Sequence, residues 1–533
     1  MKFWPFGRRA ANDNAPVSAV PRVTRTLQDV RRSATRMFKA ANVTRLDKWE
    51  TNPVTPDDLI SRQQRILVAR SRHQWANNDY VKNFVRLVRQ NVVGSQGIVL
   101  QAQVKKARGG KLDADANEAL ESAWAEWCKP VNCDVKGLNS LWKIQRLVMN
   151  TTARDGEFII RMVYGDDAGP WGFALQMIDP QRLPSDYDIQ RLAGGGFIRH
   201  GIEFNRYGRP TWYHFGSDDE SDSTYYTVSG RGFIKVPAAD IIHGYVEELV
   251  GQRRGLPWAS TSLFRLHHLA GFEDAAVQNA RASAAKMGFI KWRDGFGPEC
   301  DDGEAVEIDA EPLSFHELPE GAEMQEWTPN YPSGEFAVFN KAMVRGAAAG
   351  MGVLYNNLAG DLEGVNFSSI RQGTLDERDH WKDLQGWLIE TLMQRVFDAW
   401  LPRALLSGRI KVRGKAMPAE RLDACKDITW QGRRWQWIDP RADVDAAVES
   451  KNNLLTSPGR VIREQGLDPA TVWKESARDI RAMIDALTAE GIPEDKATEM
   501  VMLSMSRDPK MPRPAAEGGA QQPGKTDETK PAA

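Results

Sequence analysis

Hydrophobic and polar residues follow two different periods along this chain, and the change from one period to the other predicts its elements. Apolar positions spaced by three or four residues, as in a helix, dominate residues 56–91. Short runs rich in β-branched and aromatic residues follow, separated by Gly and Pro, and they predict strands. We therefore expect an α+β fold class for residues 49–256. The predicted strands are residues 92–104, 157–164, 173–178, 197–204 and 211–215.

Two helices are predicted after this region, over residues 257–286 and 333–352, from their apolar spacing and the Gly and Pro residues near their ends. The segment between them is rich in Gly, Pro and acidic residues. It contains possible strands at residues 288–292 and 305–308. The pattern therefore predicts two helices joined by a small segment that contains strands.

The longest apolar pattern begins near Ser369 and predicts a third helix, which we expect to stop at Pro402 because proline has no N–H to continue it. At ~1.5 Å per residue, its ~32 residues make a rod of ~48 Å. Shorter helical patterns follow and predict a small helical C-terminal domain. They cover residues 443–455, 457–465, 469–487 and 493–505.

The two ends of the chain lack the apolar residues of a core. Residues 1–48 contain eleven Lys or Arg and three Asp, a net charge of +8, and predict a mobile basic arm. Such an arm is either a solvated leader or a segment that touches nucleic acid or a neighbouring subunit. Residues 507–533 contain no Leu, Ile, Val or Phe, so we expect them to be disordered.

Composition excludes several classes of protein. Of the 533 residues, 41% are hydrophobic and 26% charged, as in globular proteins rather than disordered or collagen-like ones. The formal net charge of -1 argues against a protein that grips nucleic acid with a large basic surface. Four cysteines are too few for a disulfide framework and fit a reducing compartment. No apolar run approaches the ~18 to 20 residues that span a bilayer, so no membrane partner is expected.

The chain contains no strong catalytic, metal or cofactor motif. Residues 519–526 match the G-x-x-x-x-G-K-[ST] pattern of a phosphate-binding loop. We interpret this as a chance match, because a Pro-rich tail precedes it in place of a strand and only seven residues follow it. Cys128 and Cys133 have no second Cys or His pair nearby with which to bind zinc. We therefore expect no catalytic residue, no metal and no cofactor, and a protein that is not an enzyme.

Several separated stretches of the chain carry a shared pattern. They are Gly201-Ile-Glu with Gly208-Arg-Pro, Val236-Pro-Ala-Ala-Asp240-Ile-Ile-His243, Gly251-Gln-Arg-Arg254-Gly-Leu-Pro257, Phe272-Glu-Asp274-Ala-Ala, Asn366-Phe-Ser-Ser369-Ile-Arg371 and Trp430-Gln-Gly-Arg-Arg-Trp435-Gln-Trp-Ile-Asp439-Pro440. In this order they resemble the lambda-type phage portal proteins. The resemblance covers about residues 50–480.

This resemblance implies a portal fold, in which an α/β wing carries a two-helix stem that ends in a small α/β clip. A long wing helix and a helical crown complete such a subunit. The segments implied are the wing at 49–256, the first stem helix at 257–286, the clip at 287–332, the second stem helix at 333–354, a tunnel loop at 355–368, the long helix and the rest of the wing at 369–440, and the crown at 441–506.

The resemblance also implies a function without bond-making chemistry. Portal subunits form a homo-oligomeric ring, usually of twelve, at one vertex of the capsid in the virion, after synthesis in the host cytoplasm. Double-stranded DNA passes through the ring during packaging and ejection. The clip of such a ring meets terminase and later head-completion proteins, while capsid and scaffold proteins surround the vertex.

Within the tunnel loop, the resemblance implies contact with DNA. The stretch Tyr355-Asn356-Asn357 departs from the Tyr-Glu pairing that is more usual at this place in the family. Because the loop has two acidic residues and no Lys or Arg before Arg371, we expect it to approach phosphates weakly. A plain connection between two helices is the alternative interpretation. The candidate contact residues are Asn356, Asn357, Asp361, Glu363 and Asn366.

Two other function classes stay open. A nucleotide-driven DNA packaging motor of the terminase class would use the match at residues 519–526. A capsid or scaffold protein would assemble into a shell or sheet without a pore.

Overall fold

The structure is a computed structural model, and it describes most of the chain between residues 53 and 505. The predicted arm at 1–48, the possible strand at 305–308, the tail at 507–533 and the sequence match at 519–526 lie outside the described residues. The described residues are 53–106, 110, 112–216, 233–284, 288–293, 321–326, 336–435, 440–465 and 469–505.

The predicted helical region at 56–91 contains two helices that meet at Asn78. The first begins at Thr55, whose side chain accepts a hydrogen bond from the Asp58 N–H and so caps it. Asn78 has an extended backbone and caps the second helix by accepting the N–H groups of Tyr80 and Val81. The elements are α1 (Pro56–Leu59), a π-helical turn (Ile60–Gln64), α2 (Arg65–Asn77) and α3 (Asp79–Val92).

A three-stranded antiparallel sheet lies beside these helices, with β2 between β3 and β8. The strands predicted at 157–164 and 173–178 are confirmed. On β2, Ile160 pairs with Met177 on one side and Ile242 on the other. The strands are β2 (Glu157–Tyr164), β3 (Phe173–Ile178) and β8 (Ile241–Tyr245), and β1 (Val99–Ala102) pairs instead with β13 (Ile428–Gln431).

A second, four-stranded sheet corrects the prediction of a single strand over residues 197–204. His200 and Gly201 both have positive φ, at 53° and 78°, and they reverse the chain between two short strands. The prediction at 92–104 was also too long, because Val92 ends a helix and the strand begins at Val99. The sheet order is β4 (Phe197–Arg199), β5 (Ile202–Phe204), β6 (Pro210–Phe215) and β7 (Ile234–Pro237).

The two helices predicted after the sheets pack against each other in opposite directions. The Ser262 hydroxyl donates to the Ala347 carbonyl at 2.9 Å. Further along, the Asn340 amide donates to Glu273 at 2.8 Å, which fixes the antiparallel order. A two-stranded hairpin follows the first helix. The elements are α7 (Ser260–Ala284), β9 (Gly288–Trp292), β10 (Ala322–Glu326) and α8 (Phe336–Met351).

The long helix is longer than predicted, because it runs from Phe367 through Pro402 to Leu406 and does not stop at the proline. Proline costs a helix one backbone hydrogen bond. Here Leu401, Ala404 and Leu405 are buried, so packing offsets that loss. A π-helical turn interrupts the regular spacing. The segments are α10 (Phe367–Leu388), the π turn (Ile389–Met393) and α11 (Gln394–Leu406).

The remaining helices either line the core or form the C-terminal region. In that region Ile484, Ala497 and Val501 make a small apolar cluster of their own. The elements are α4 (Ala114–Trp127), α5 (Pro130–Cys133), α6 (Leu141–Asp155), β11 (Lys411–Val412), β12 (Lys415–Ala416), α12 (Leu422–Cys425), α13 (Pro440–Asn452), α14 (Pro458–Glu464), α15 (Pro469–Ala489), α16 (Glu494–Met505) and 3-10 turns at Asp166–Trp171, Pro180–Arg182, Ala238–Asp240 and Ala419–Arg421.

Aromatic side chains join the long helix to the rest of the core. Trp124 contacts Trp127 and Trp400 with 5.0 Å between ring centroids in each pair. Phe397 and Trp430 lie 5.5 and 5.8 Å from Trp124. Such edge-on and tilted pairs add to the stability gained from burial. They fix α11 against both α4 and β13. These two elements are more than 300 residues apart in sequence.

A buried ion pair holds the segment that leads into α7. Arg254 and Glu157 are both about 99% buried. The Arg254 guanidinium donates to Glu157 at 2.6 and 2.9 Å. It also donates to the carbonyl oxygens of Leu183 and His200, at 3.0 and 3.2 Å. The pair therefore ties three distant segments to the start of α7.

The carboxylate of Glu157 is fully satisfied. The Gly255 N–H donates to it at 2.9 Å, and His243 Nε2 lies 3.0 Å away. Burial by itself raises the pKa of Glu157, but the charge of Arg254 and the contact with His243 outweigh it and hold the pKa at about 2. Ionised Glu157 thus stabilises the fold above its ordinary pKa of 4.5, and this stabilisation declines as the pH falls from 4.5 to about 2.

Two glycines, Gly156 and Gly255, allow the two backbone segments that carry Glu157 and Arg254 to approach closely. Gly156 has a φ of 94° and ends α6. A Cβ atom on Gly255 would lie 2.1 Å from the Gly156 carbonyl oxygen. Because only glycine allows this approach, the two segments can meet directly.

We predict that Arg254→Met destabilises the protein by about 3–5 kcal/mol, because it leaves the buried Glu157 carboxylate without its charged partner. Urea unfolding followed by tryptophan fluorescence measures this. The matched control is Lys105→Met, which removes a surface ion pair with Asp427 and should cost about 0–1 kcal/mol. Equal midpoints for the two variants would contradict the structural role of the pair.

Candidate functional site: the connection between α8 and the long helix

The connection between α8 and α10 begins with a helical turn, α9 (Tyr355–Ala359). The predicted loop at 355–368 is therefore too long at both ends, since α10 already begins at Phe367. Gly360 has a φ of 69° and ends α9 in the left-handed conformation. Asn366 caps α10, because its side chain accepts the Ser368 N–H at 3.2 Å. The exposed loop proper is residues 360–366.

The turn α9 is anchored to the core. Leu358 is 2% exposed. The Asn83 amide of α3 donates to the carbonyl oxygens of Asn357 and Leu358, at 3.0 and 2.7 Å. The Asn357 amide donates to Glu377 of α10. The middle of this turn is thus fixed to two neighbouring helices, α3 and α10.

Glu377 lies buried beneath the connection, with 7% of its surface exposed. It accepts the Leu354 N–H at 3.1 Å as well as the Asn357 amide. Burial raises the pKa of Glu377, while these two hydrogen bonds act in the opposite direction. The side chain therefore works as a buried hydrogen-bond acceptor that positions the turn.

Asp361 closes the base of the exposed loop. Its carboxylate accepts the Tyr355 hydroxyl at 2.8 Å and the Glu363 N–H at 2.9 Å, and it pairs with Lys341 of α8 at 3.1 Å. These hydrogen bonds hold the pKa of Asp361 at about 2. The Asn356 amide donates to the Asp361 carbonyl oxygen at 2.7 Å. We call Lys341, Tyr355, Asn356 and Asp361 the loop clamp.

Two cations of α8 also make cation–π contacts with the ring of Tyr355. Lys341 Nζ lies 5.6 Å and the Arg345 guanidinium 5.4 Å from its centroid. Burial and the hydrogen bond to Asp361 raise the pKa of Tyr355 to about 12, so its hydroxyl stays a donor at neutral pH. The sequence offered no signal for Lys341 or Tyr355 in this role, because the contacts join positions 14 residues apart through a turn.

The five predicted contact residues therefore fall into two groups. The side chains of Asn356, Asn357 and Asp361 are engaged inside the protein. Glu363 is exposed, and Asn366 is exposed while it caps α10. Leu362, which the sequence did not single out, is 66% exposed at the tip. The surface that the loop offers is acidic and apolar, with no cation between residues 357 and 370.

Within the described residues, no group of three or more His, Cys, Asp and Glu side chains is arranged to hold a metal ion. No helix among these residues is long and apolar enough to cross a membrane.

The sequence of this chain is similar to those of phage proteins. The family described as "Phage portal protein, lambda family" matches residues 43–385. The "Probable portal protein" of Halomonas phage phiHAP-1 is 34% identical over 458 residues, which cover 84% of this chain and 86% of that protein. "Portal protein B" of Escherichia phage lambda is 20% identical over 447 residues, covering 76% and 81% of the two chains.

Structural comparison finds weaker likenesses. A chain from "Neck of empty GTA particle computed with C6 symmetry" has a TM-score of 0.39 and 14% identity, and covers 76% of this chain and 94% of that one. A chain from "Neck of native GTA particle computed with C12 symmetry" has a TM-score of 0.36 and 14% identity over the same shares.

We predict that Asp361→Asn loosens residues 360–366, because it removes the ion pair with Lys341 and the charged acceptor of the Tyr355 hydroxyl. Amide hydrogens in this loop should exchange several-fold faster than in the unchanged protein, without faster exchange in α8 or α10. The matched control is Glu363→Gln, since the Glu363 side chain makes no hydrogen bond within the described residues. Equal exchange in both variants would show that Asp361 does not hold the loop.

Proposed function

Because this chain belongs to the lambda family of phage portal proteins, we propose that its copies form a ring at one vertex of the capsid. The ring, of twelve subunits, is the channel through which double-stranded DNA is packaged and ejected. The observation that carries the proposal is the 34% identity to a probable portal protein over most of both chains. The chain acts as a structural part of the virion and catalyses no reaction.

The antiparallel pair α7 and α8 is suited to the two-helix stem. The 25 residues of α7 reach about 37 Å at ~1.5 Å per residue, and the β9–β10 hairpin follows it. In the proposed ring this hairpin belongs to the clip, which docks terminase during packaging and head-completion proteins afterwards. The sheets and the long helix form the wing, which capsid and scaffold proteins surround, and α13 to α16 form the crown.

The loop at 360–366 is suited to a channel that lets DNA slide. A densely basic lining would release counterions from DNA and hold it. The exposed side chains Leu362 and Glu363 offer no such attraction, and the loop clamp keeps the base of the loop in place. We propose that this loop guides DNA by its shape, with Asn366 and backbone groups closest to the phosphates.

Two experiments on the purified chain separate the proposal from its rivals. Negative-stain images should show closed rings with a central hole, whereas sheets or shells would indicate a capsid or scaffold protein. The chain should hydrolyse no ATP, and Lys525→Ala should change nothing. Turnover that depends on Lys525 would indicate a nucleotide-driven motor and contradict the proposal.

We predict that replacing Leu362-Glu363-Gly364-Val365 by Gly-Ser-Gly-Ser leaves ring assembly intact but lowers DNA packaging or retention. The reason is that these residues lie beyond the loop clamp and pack little apolar surface, while Leu358 and Asn357 stay in place to anchor α9. Particle assembly with the altered subunit, followed by measurement of packaged DNA, provides the test. The same replacement of the exposed turn at 206–209 serves as control. Loss of rings in the loop variant would show that the loop is a subunit contact.

A further inference from the structure

A group of cations on the surface of α3 and α6 has no acidic salt-bridge partner among the described residues. None of the five forms a salt bridge within the described part of the chain, although Arg86 donates to Asn83 at 2.6 and 3.0 Å. The buried Nε of Arg89 has no hydrogen-bond acceptor. Arg146 packs over the ring of Trp142 at 4.6 Å. We call this surface the basic patch, and its members are Lys82, Arg86, Arg89, Lys143 and Arg146.

These cations repel one another. Burial lowers the pKa of Arg89, and the charges of Arg146 and Arg86 lower it further. Asp79 is the single acidic residue that lines the adjoining groove of about 390 Å³ in the described structure. An anionic surface placed on the basic patch would relieve this repulsion.

A complementary acidic face runs along the long helix. Its four carboxylates recur at spacings of three, four and seven residues, so they lie on one side of the helix. The opposite side carries the buried residues Trp381, Leu384 and Leu388. The Lys382 ammonium forms an exposed salt bridge with the Asp379 carboxylate at 2.7 Å. We call this surface the acidic stripe, and its members are Asp376, Asp379, Asp383 and Glu390.

Too few cations lie near the acidic stripe, within the described residues, to neutralise its four carboxylates. Asp383 and Glu390 form no salt bridge with any part of the chain that the structure describes, and both are exposed. Gln372 donates to Asp376 at 2.9 Å, but it carries no charge. The stripe therefore presents an excess of negative charge to its surroundings.

One member of the basic patch, Arg146, lines the groove beside α10, but no salt bridge among the described residues joins the patch to the acidic stripe. Leu87 and Asn91 of α3 line the groove between this helix and Thr374 and Glu377 of α10. Arg86 lies one residue before Leu87, about 100° around α3, and Lys82 lies on the same outer side. The acidic stripe in turn lies on the side of α10 opposite its packed face. Within the described residues of one chain, the acidic stripe therefore does not cover the basic patch.

We propose that in the ring, an assumption that rests on the function proposed above, the acidic stripe of one copy lies against the basic patch of the next. This contact is heterologous, as ring closure requires, because each copy offers one surface to each neighbour. A second copy accounts for the excess charge of both surfaces at once. Bound nucleic acid would account only for the basic patch and would leave the stripe without a partner.

Charge reversal on each side tests this contact. The basic-patch variant carries Lys82→Glu and Arg86→Glu, and the acidic-stripe variant carries Asp379→Lys and Asp383→Lys. Each variant alone should need roughly tenfold more protein to form rings, because like charges then face each other. An equal mixture of the two variants should form rings at the concentration that suffices for the unchanged chain, since their surfaces are complementary again.

The controls are Lys415→Glu and Glu420→Lys, which reverse exposed charges away from both surfaces and should leave assembly unchanged. Circular dichroism shows whether each variant is folded. Rings from both variants at ordinary concentration would overturn the contact. If rings form normally and only the basic-patch variant retains less DNA, the patch binds nucleic acid and the inference is wrong. Failure of the unchanged chain to form rings would instead contradict the proposed function.

Discussion

The arrangement of the chain around α7 depends on one buried ion pair. Arg254 and Glu157 could not stay charged in the interior unless every donor and acceptor around them were satisfied. The backbone of Gly255, the ring of His243 and carbonyl groups from the 180–200 segment meet this requirement together. The direction in which the chain enters α7 is thus set by hydrogen bonds rather than by apolar packing alone. This explains why the Gln-Arg-Arg-Gly stretch, one of the motifs that carries the family resemblance, has its particular residues.

The long helix joins elements from distant parts of the chain into one core. Its apolar side runs from Trp381 to Leu405 and meets α3, α4, β8 and β13. The π turn and Pro402 both disturb its backbone hydrogen bonds, yet the helix continues because its neighbours bury its apolar side from Trp381 to Leu405. The opposite, charged side faces outward. One helix therefore serves both as a core element and as the surface that we assign to a neighbouring copy.

The connection before this helix combines a fixed base with a free tip. Polar contacts from α3, α8 and α10 hold α9, whereas the residues beyond Asp361 have little to pack against. Because the side chains of Asn356 and Asn357 bond within the protein, the exposed part of the loop is small and acidic. This geometry agrees with guidance by shape, and it narrows the candidate contacts to Leu362, Glu363 and Asn366.

Periodicity in the sequence determined the mixed helix and sheet character and the positions of β2, β3, α7 and α8, while separated sequence motifs carried the resemblance to the portal family. These features depend on residues close in sequence, or on short motifs that can be recognised in the sequence itself. Pairing of β1 with β13, continuation of the long helix past Pro402 and the contacts of Asp361 were decided only by the tertiary structure. Each depends on groups that are distant in sequence, and their packing or hydrogen bonding outweighs the local preference of the residues concerned.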